Sequence, residues 1–169
     1  IYEIPITQMR FFTVYGPWGR PDMALFKFTK AILDDEPIHV FNHCKMSRDF
    51  TYVIDLVSSI KLLLEVVPER GVKVTDTDSI SNVAPWRVVN IGNGSQENLI
   101  TYIDILEENL QKSAKKVYLP LQQGDVVATL ADCSLLKALT GNTPKTNIEV
   151  GVKQFVDWYL SYYGRQKCK

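Results

Sequence analysis

Short runs rich in β-branched and aromatic residues alternate with longer stretches whose apolar residues recur every three or four positions, and the alternation holds along the whole 169-residue chain. A strand, a helix and a further strand return most easily to one sheet in parallel, so the pattern predicts an α/β fold with mixed strand pairing. Ile6–Val14, apolar and aromatic with interleaved threonine, reads as a buried strand. It runs into Tyr15-Gly16-Pro17-Trp18-Gly19-Arg20-Pro21-Asp22, whose glycines and prolines specify a structured loop. Asp22 is placed to cap a helix with Leu25, Phe26, Thr29, Ile32 and Leu33 on its inner face, ending before Pro37. Ile38–Phe41 and Arg48–Val53 read as short strands, and Ile54, Val57, Ile60, Leu64 and Val67 as the inner face of a helix stopped by Pro68.

The second half continues in the same way. Glu69–Trp86 is poor in large apolar residues and reads as a long exposed loop, functional or mobile. Arg87–Ile91 is a strand that closes on Gly92-Asn93-Gly94, and Leu99, Ile103, Leu106 and Leu110 define a helix. Val117–Leu119 is a short strand, and Gln122-Gln123-Gly124-Asp125 a turn. Asp132 can cap a short helix ended by Gly141 and Pro144. Thr146-Asn147-Ile148-Glu149 is a capping box for a last helix with Ile148, Val152, Phe155 and Tyr159 on one face.

Charge and composition remove several classes of function. Nineteen Lys and Arg balance 19 Asp and Glu, so no general field draws the chain to nucleic acid or to an anionic membrane. No apolar run approaches the roughly 18 residues of a membrane span. Cys44, Cys133 and Cys168 are scattered and read as reduced thiols, and His39 and His43 are too few for a multi-histidine metal site. The opening residues carry no signal-peptide pattern and read as the middle of a protein.

The residues alone offer modest chemistry. Ile91-Gly92-Asn93-Gly94 lies between a strand and a helix, but without a third glycine it reads as an ordinary turn before it reads as a dinucleotide fingerprint. Arg20, in a loop at a strand end, and Arg48, before the strand Phe50-Thr51-Tyr52, are placed where α/β folds hold ligands. A guanidinium there suits a phosphate or carboxylate; the plainer alternative is a surface arginine paired with a nearby aspartate. His39, His43, Cys44 and the Trp158-Tyr159 and Tyr162-Tyr163 pairs read as ordinary polar or packing residues.

The run Arg10-Phe11-Phe12-Thr13-Val14-Tyr15-Gly16-Pro17-Trp18-Gly19-Arg20-Pro21-Asp22-Met23 closely resembles the NAD-dependent nucleotide-sugar epimerases of the extended short-chain dehydrogenase/reductase class. Within that class it is most similar to the UDP-glucuronate 4-epimerase branch. The resemblance continues through Pro37–Asn42, Arg48–Val53, Val89–Asn93, Gln123–Val126, Ala131-Asp132 and Gly151–Tyr159, in the family's order.

That resemblance implies a C-terminal substrate-binding lobe with the last strands of a Rossmann sheet, spanning residues 1–169. The NAD-binding part, with its glycine-rich fingerprint and catalytic Tyr-x-x-x-Lys pair, would lie outside it, so no catalytic residue and no metal site are expected here. The implied substrate-binding residues are Arg48 on the diphosphate and Asn42 with the backbone of Val40 and Phe41 at the uracil and ribose. Thr13 and Arg20 fall near the sugar carboxylate, Asp125 at the ribose, and Gln122 where related enzymes carry arginine. The implied partners are a UDP-sugar and a second copy of the full-length protein, in the cytoplasm, with no nucleic acid or membrane. Other UDP-sugar epimerases, dehydratases or decarboxylases of the superfamily, and a non-catalytic UDP-sugar binding module, remain as alternatives. Cys44 replaces a usual glycine, and Ile54 a usual acid that would cap the next helix. A lobe of this kind should also leave apolar residues near Phe11, Phe12 and Val89 uncovered.

Overall fold

The computed structural model describes residues 2–165; Ile1 and Cys168 lie outside that range. The strands are β1 (Ile6–Phe11), β2 (Thr13–Tyr15), β3 (Pro37–Val40), β4 (Ser47–Arg48), β5 (Phe50–Tyr52), β6 (Trp86–Ile91), β7 (Glu97–Asn98) and β8 (Lys115–Tyr118). The helices are α1 (Ala24–Leu33), α2 (Val53–Leu64), α3 (Leu99–Leu110), α4 (Ser134–Thr140) and α5 (Ile148–Tyr162). β1 pairs with β6, β2 with β5 and β3 with β8, all parallel, while β4 and β7 pair antiparallel. The expected α/β architecture with mixed pairing is present.

The expected single strand over Ile6–Val14 is in fact two. The Phe12 N–H donates to the Ile91 carbonyl, but the next N–H, of Thr13, donates to Asp49. The chain therefore leaves one partner and joins another at Phe12. A change of partner between adjacent strands opens a crevice at the strand ends, where α/β folds place ligands.

Two apolar clusters follow from this division. The larger joins α1, α3 and α5 to β2, β3 and β5, and includes the face-to-face stack of Phe50 on Tyr102 with centroids 4.4 Å apart. The smaller holds Leu56 and Leu63 of α2, Val89 and Ile91 of β6, and Leu136 of α4. Val89 is fully buried there, contrary to expectation, whereas Phe11 is half exposed.

Loop Glu69–Trp86 departs most from its sequence reading. Asp78 is buried and ion-paired with buried Arg87 at 3.1 Å, and its carboxylate also accepts the Val74 and Ile80 N–H groups. The Ser79 hydroxyl donates to the Val88 carbonyl and accepts the Val88 N–H, standing in for a neighbouring strand. Ser81 N–H adds a bond to Trp86. The loop is thus an ordered cover over the outer edge of β6. The opposite edge of the pair, on β1, meets no strand among the described residues.

Helix α2 presents a different face from the one expected. Leu56, Ser59 and Leu63 point inward, while Ile54, Val57, Leu64 and Val67 lie exposed, Leu64 at 72%. The expectation that position 54 caps the helix fails, because Tyr52 is the N-cap residue and Ile54 lies inside the first turn; no side chain caps α2, and Asp55 accepts the Lys145 and Thr146 N–H groups and ties α2 to the approach to α5. Asp22 does not cap α1, because Arg20 takes its carboxylate. α1 buries Leu25, Phe28, Thr29 and Ile32, while Phe26 packs its ring on Phe155 and Tyr159. α5 opens on Asn147, whose side chain accepts the Glu149 N–H, one residue later than the expected box.

Candidate functional site

Beside β3 and the first residues of β2 and β5 lies a cavity of about 700 Å3, a size that suits a nucleotide sugar. Five residues singled out from the sequence line it: Thr13, Phe41, Arg48, Gln122 and Asp125. Arg48 is the most constrained of them. β4 holds its backbone, and its guanidinium donates to Asp125 at 2.8 Å and to the Ser47 and Val127 carbonyls at 3.0 and 3.2 Å. A guanidinium has five N–H donors, so these bonds fix its plane and leave donors for an anion in the cavity.

Segment Leu119–Leu130 reaches this position by pairing with the loop before Arg48. Ser47 N–H donates to Val127, Thr129 N–H to Ser47, and Ser47 bridges to Ala128. Gln122 and Asp125 are carried in on that strap. Beneath it, Asp49 is fully buried and its carboxylate accepts the N–H groups of Asn93 (2.7 Å), Gly94 (2.9 Å) and Ala131 (3.0 Å). One side chain thus joins β5, the turn after β6 and the root of the strap.

The remaining sequence candidates stand apart from the large cavity. Val40 is fully buried, with its side chain in the core. Asn42 turns its amide to the Lys45 carbonyl. Arg20 is exposed, bound through Nε and Nη2 to Asp22 at 3.0 and 2.5 Å, which is the plainer alternative for an arginine in this loop. It borders a separate space of about 40 Å3 beneath the Gly/Pro loop. Asp22 itself lines the large cavity, as do Lys27, which sequence reasoning passed over, and His39, which it read as an ordinary polar residue. The sequence signal for Lys27 was its place one turn beyond Met23 on the helix that leaves the Gly/Pro loop. For His39 it was the alternation of β3, which buries Ile38 and Val40 and turns His39 outward.

The buried phenols and thiols offer little acid–base chemistry, and the glycine turn offers no cofactor cradle. Burial pushes the Tyr15 and Tyr102 phenols up, away from the range in which a tyrosine acts as a base. Burial likewise raises the Cys44 and Cys133 thiols. A Tyr-x-x-x-Lys spacing does occur once, Tyr163 to Lys167, where none was expected. The Tyr163 ring packs on Phe26, Tyr159 and Tyr162, away from the cavity, and Lys167 lies outside the described residues. The Gly92–Gly94 turn does not fit a dinucleotide phosphate, because the Asn93 and Gly94 N–H groups are already spent on Asp49. Among the described residues no three His, Cys, Asp or Glu side chains converge on a metal position, and no helix is long and apolar enough to cross a membrane.

Comparison with known proteins places this geometry. The chain is 49% identical, over 98% of its length, to a probable UDP-glucuronate 4-epimerase of Rhizobium meliloti, and 43% identical, over 97%, to UDP-glucuronate 4-epimerase 1 of Arabidopsis thaliana. It superposes with a TM-score of 0.79 and 33% identity on the UDP-glucuronic acid 4-epimerase of Bacillus cereus in complex with UDP-glucuronic acid and NAD, covering 96% of this chain and 47% of that one. It spans about half the length of the bacterial relative, 49%, and 38% of the plant one. The profile of the NAD dependent epimerase/dehydratase family matches residues 1–92, more than half of the sequence, and the chain belongs to that family.

Proposed function

We propose that this chain is the substrate-binding part of a UDP-glucuronate 4-epimerase, and that the large cavity holds the UDP portion of the sugar nucleotide. The observation that carries the reading is the Arg48 guanidinium, fixed in plane at the cavity wall with donors to spare. The work assigned to these residues is positioning. Arg48 grips the diphosphate, the β3 end and Phe41 flank the uracil and ribose with Asn42, and Asp125 and Gln122 close the strap over them. Thr13 and Arg20 face the sugar, whose carboxylate would take the place of Asp22 on the Arg20 fork. NAD, when bound, supplies the hydride acceptor; the turn described above cannot cradle it, so its site is assigned to sequence beyond this chain.

The bare edge of β1 supports the same division. The N–H groups of Ile6 and Phe12 point to β6, so by strand alternation those of Thr7, Met9 and Phe11 point outward. Beside that edge, Pro5, Met9, Leu64 and Val67 line an open groove of about 190 Å3. We assign this edge to the rest of the NAD-binding sheet of a longer, cytoplasmic and homodimeric enzyme.

Titration of the chain with UDP and with uridine tests the reading. UDP should bind at least about tenfold more tightly, since bonds to a charged group contribute about 1.5–3 kcal/mol. Equal affinity for the two would contradict it. The chain alone should not convert UDP-glucuronate when NAD is added.

A further inference from the structure

The loop from Gly16 to Met23 carries Arg20; its root is packed where buried Gly16 meets Tyr52 and Val53, and two turn bonds, Gly19 N–H to Gly16 and Met23 N–H to Arg20, tie it to itself, but none of these bonds ties the Trp18–Arg20 stretch to another element. Its inner side roofs the space of about 40 Å3, so packing there is incomplete. Its outer side is held by one ring. Trp18 rests against Trp158 and Tyr162 of α5, with centroids 5.3 and 5.0 Å away, and those two rings stack on each other at 5.5 Å. Trp18 is 72% exposed, so this is not core packing. Its backbone sits at φ +62°, a region that a bulky residue occupies only where its surroundings hold it. The Trp158 indole N–H is buried without a hydrogen-bond partner among the described residues, so the ring is kept for its face. Thr13, Met23, Ala24 and Phe50 border both this space and the large cavity, so a shift of the loop alters the join between them.

We propose that Trp18 is a positioning residue for substrate discrimination: seated on Trp158 and Tyr162, it fixes the Gly16–Met23 loop and so sets where the Arg20 guanidinium meets the carboxylate of a uronate sugar. The inference rests on the UDP-sugar reading above. Arg20 must exchange one carboxylate, that of Asp22, for another on the ligand. The exchange is close to balanced only if the backbone beneath Arg20 stays in place.

Trp18→Gly removes the ring without adding backbone strain, because glycine accepts positive φ. UDP-glucuronate should bind this variant about five- to tenfold more weakly, the equivalent of one or two aromatic pairs, while UDP stays within about twofold. Tyr162→Leu, on the other side of the stack, should show the same pattern, and Trp18→Phe should restore most of the affinity. In an Arg20→Ala background Trp18→Gly should add no further loss, because both act through one contact. Equal losses for both ligands, no loss, or full additivity with Arg20→Ala would each overturn the inference. Failure of the unmodified chain to bind UDP would instead overturn the UDP-sugar reading itself, and this inference with it.

Discussion

Arg48 spends three donors on Asp125, Ser47 and Val127, and those bonds fix its guanidinium in place, as the proposed diphosphate contact requires, unlike the exposed Arg20. Arg48→Ala should therefore lower the affinity for UDP and for UDP-glucuronate alike, by one to two decades at about 1.5–3 kcal/mol per charged bond. Arg20→Ala should weaken only the uronate. Calorimetric titration of both variants with both ligands separates the two roles. Gly151 makes a different kind of prediction. A Cβ at this helical position would collide with the buried Tyr15 hydroxyl, whose ring is held edge-on against Phe50 and Tyr102. Gly151→Ala should destabilise the chain by about 1–3 kcal/mol, measured by urea unfolding. Much at this scale was legible in advance. Arg48 stood out because a guanidinium at a strand end suits an anion, although spacing alone allowed equally a pair with an aspartate, which it also makes. Its partner Asp125 lies 77 residues on, and the resemblance, not spacing, drew attention to it. Asp49 was invisible as the anchor of the strap, since nothing local shows a carboxylate collecting N–H groups from two distant turns.

Helices divided along a physical line. α5 buries the residues its spacing selects, and α3 buries Ile103, Leu106 and Leu110 of its expected stripe, with Leu99 partly buried and Tyr102 and Ile105 added, because each packs on the large cluster. α2 does not, because its sequence is apolar nearly all round and offers two candidate stripes. Periodicity alone could not choose between Leu56-Leu63 and Ile54-Val57-Leu64. The β1–β2 break was hidden for a similar reason, since a change of hydrogen-bond partner leaves the side-chain pattern intact. Two helix ends carry predictions. α3 ends on exposed Gln111 at φ +55°, a left-handed position that favours glycine. Gln111→Gly should raise stability by about 0.5–1 kcal/mol in thermal or urea unfolding. At α4, Asp132 is held below the ordinary carboxylate value by Ser134, first through its side-chain hydroxyl and then through its N–H. The folded-state value is the lowered one. Its contribution is therefore complete above the unfolded-state value and is lost as pH falls through the folded-state value. Asp132→Asn should flatten the acid limb of a melting-temperature profile between about pH 2 and 5.

Across the whole molecule, one edge of the β1–β6 pair is covered and the other is bare. Ser79 and Ser81 satisfy β6, but no described strand pairs with the outer edge of β1, beside exposed Phe11 and Leu64. An unprotected edge beside apolar surface pairs with whatever strand is available. Sedimentation velocity should show self-association that rises with concentration, and Met9→Lys should suppress it without loss of helical signal. The cavity is bordered by Thr13, where the chain passes from pairing with β6 to pairing with β5, and the chain spans about half of its bacterial relative. Both support the proposed reading of this chain as the part that holds the nucleotide. The most direct test is to map amide chemical shifts as UDP-glucuronate is added to the chain. The account predicts that the largest changes fall on Thr13, His39, Phe41, Arg48 and Asp125, with Arg20 moving for UDP-glucuronate but not for UDP. Shifts centred on the β1 groove or the Gly92–Gly94 turn, with the large cavity silent, would contradict it.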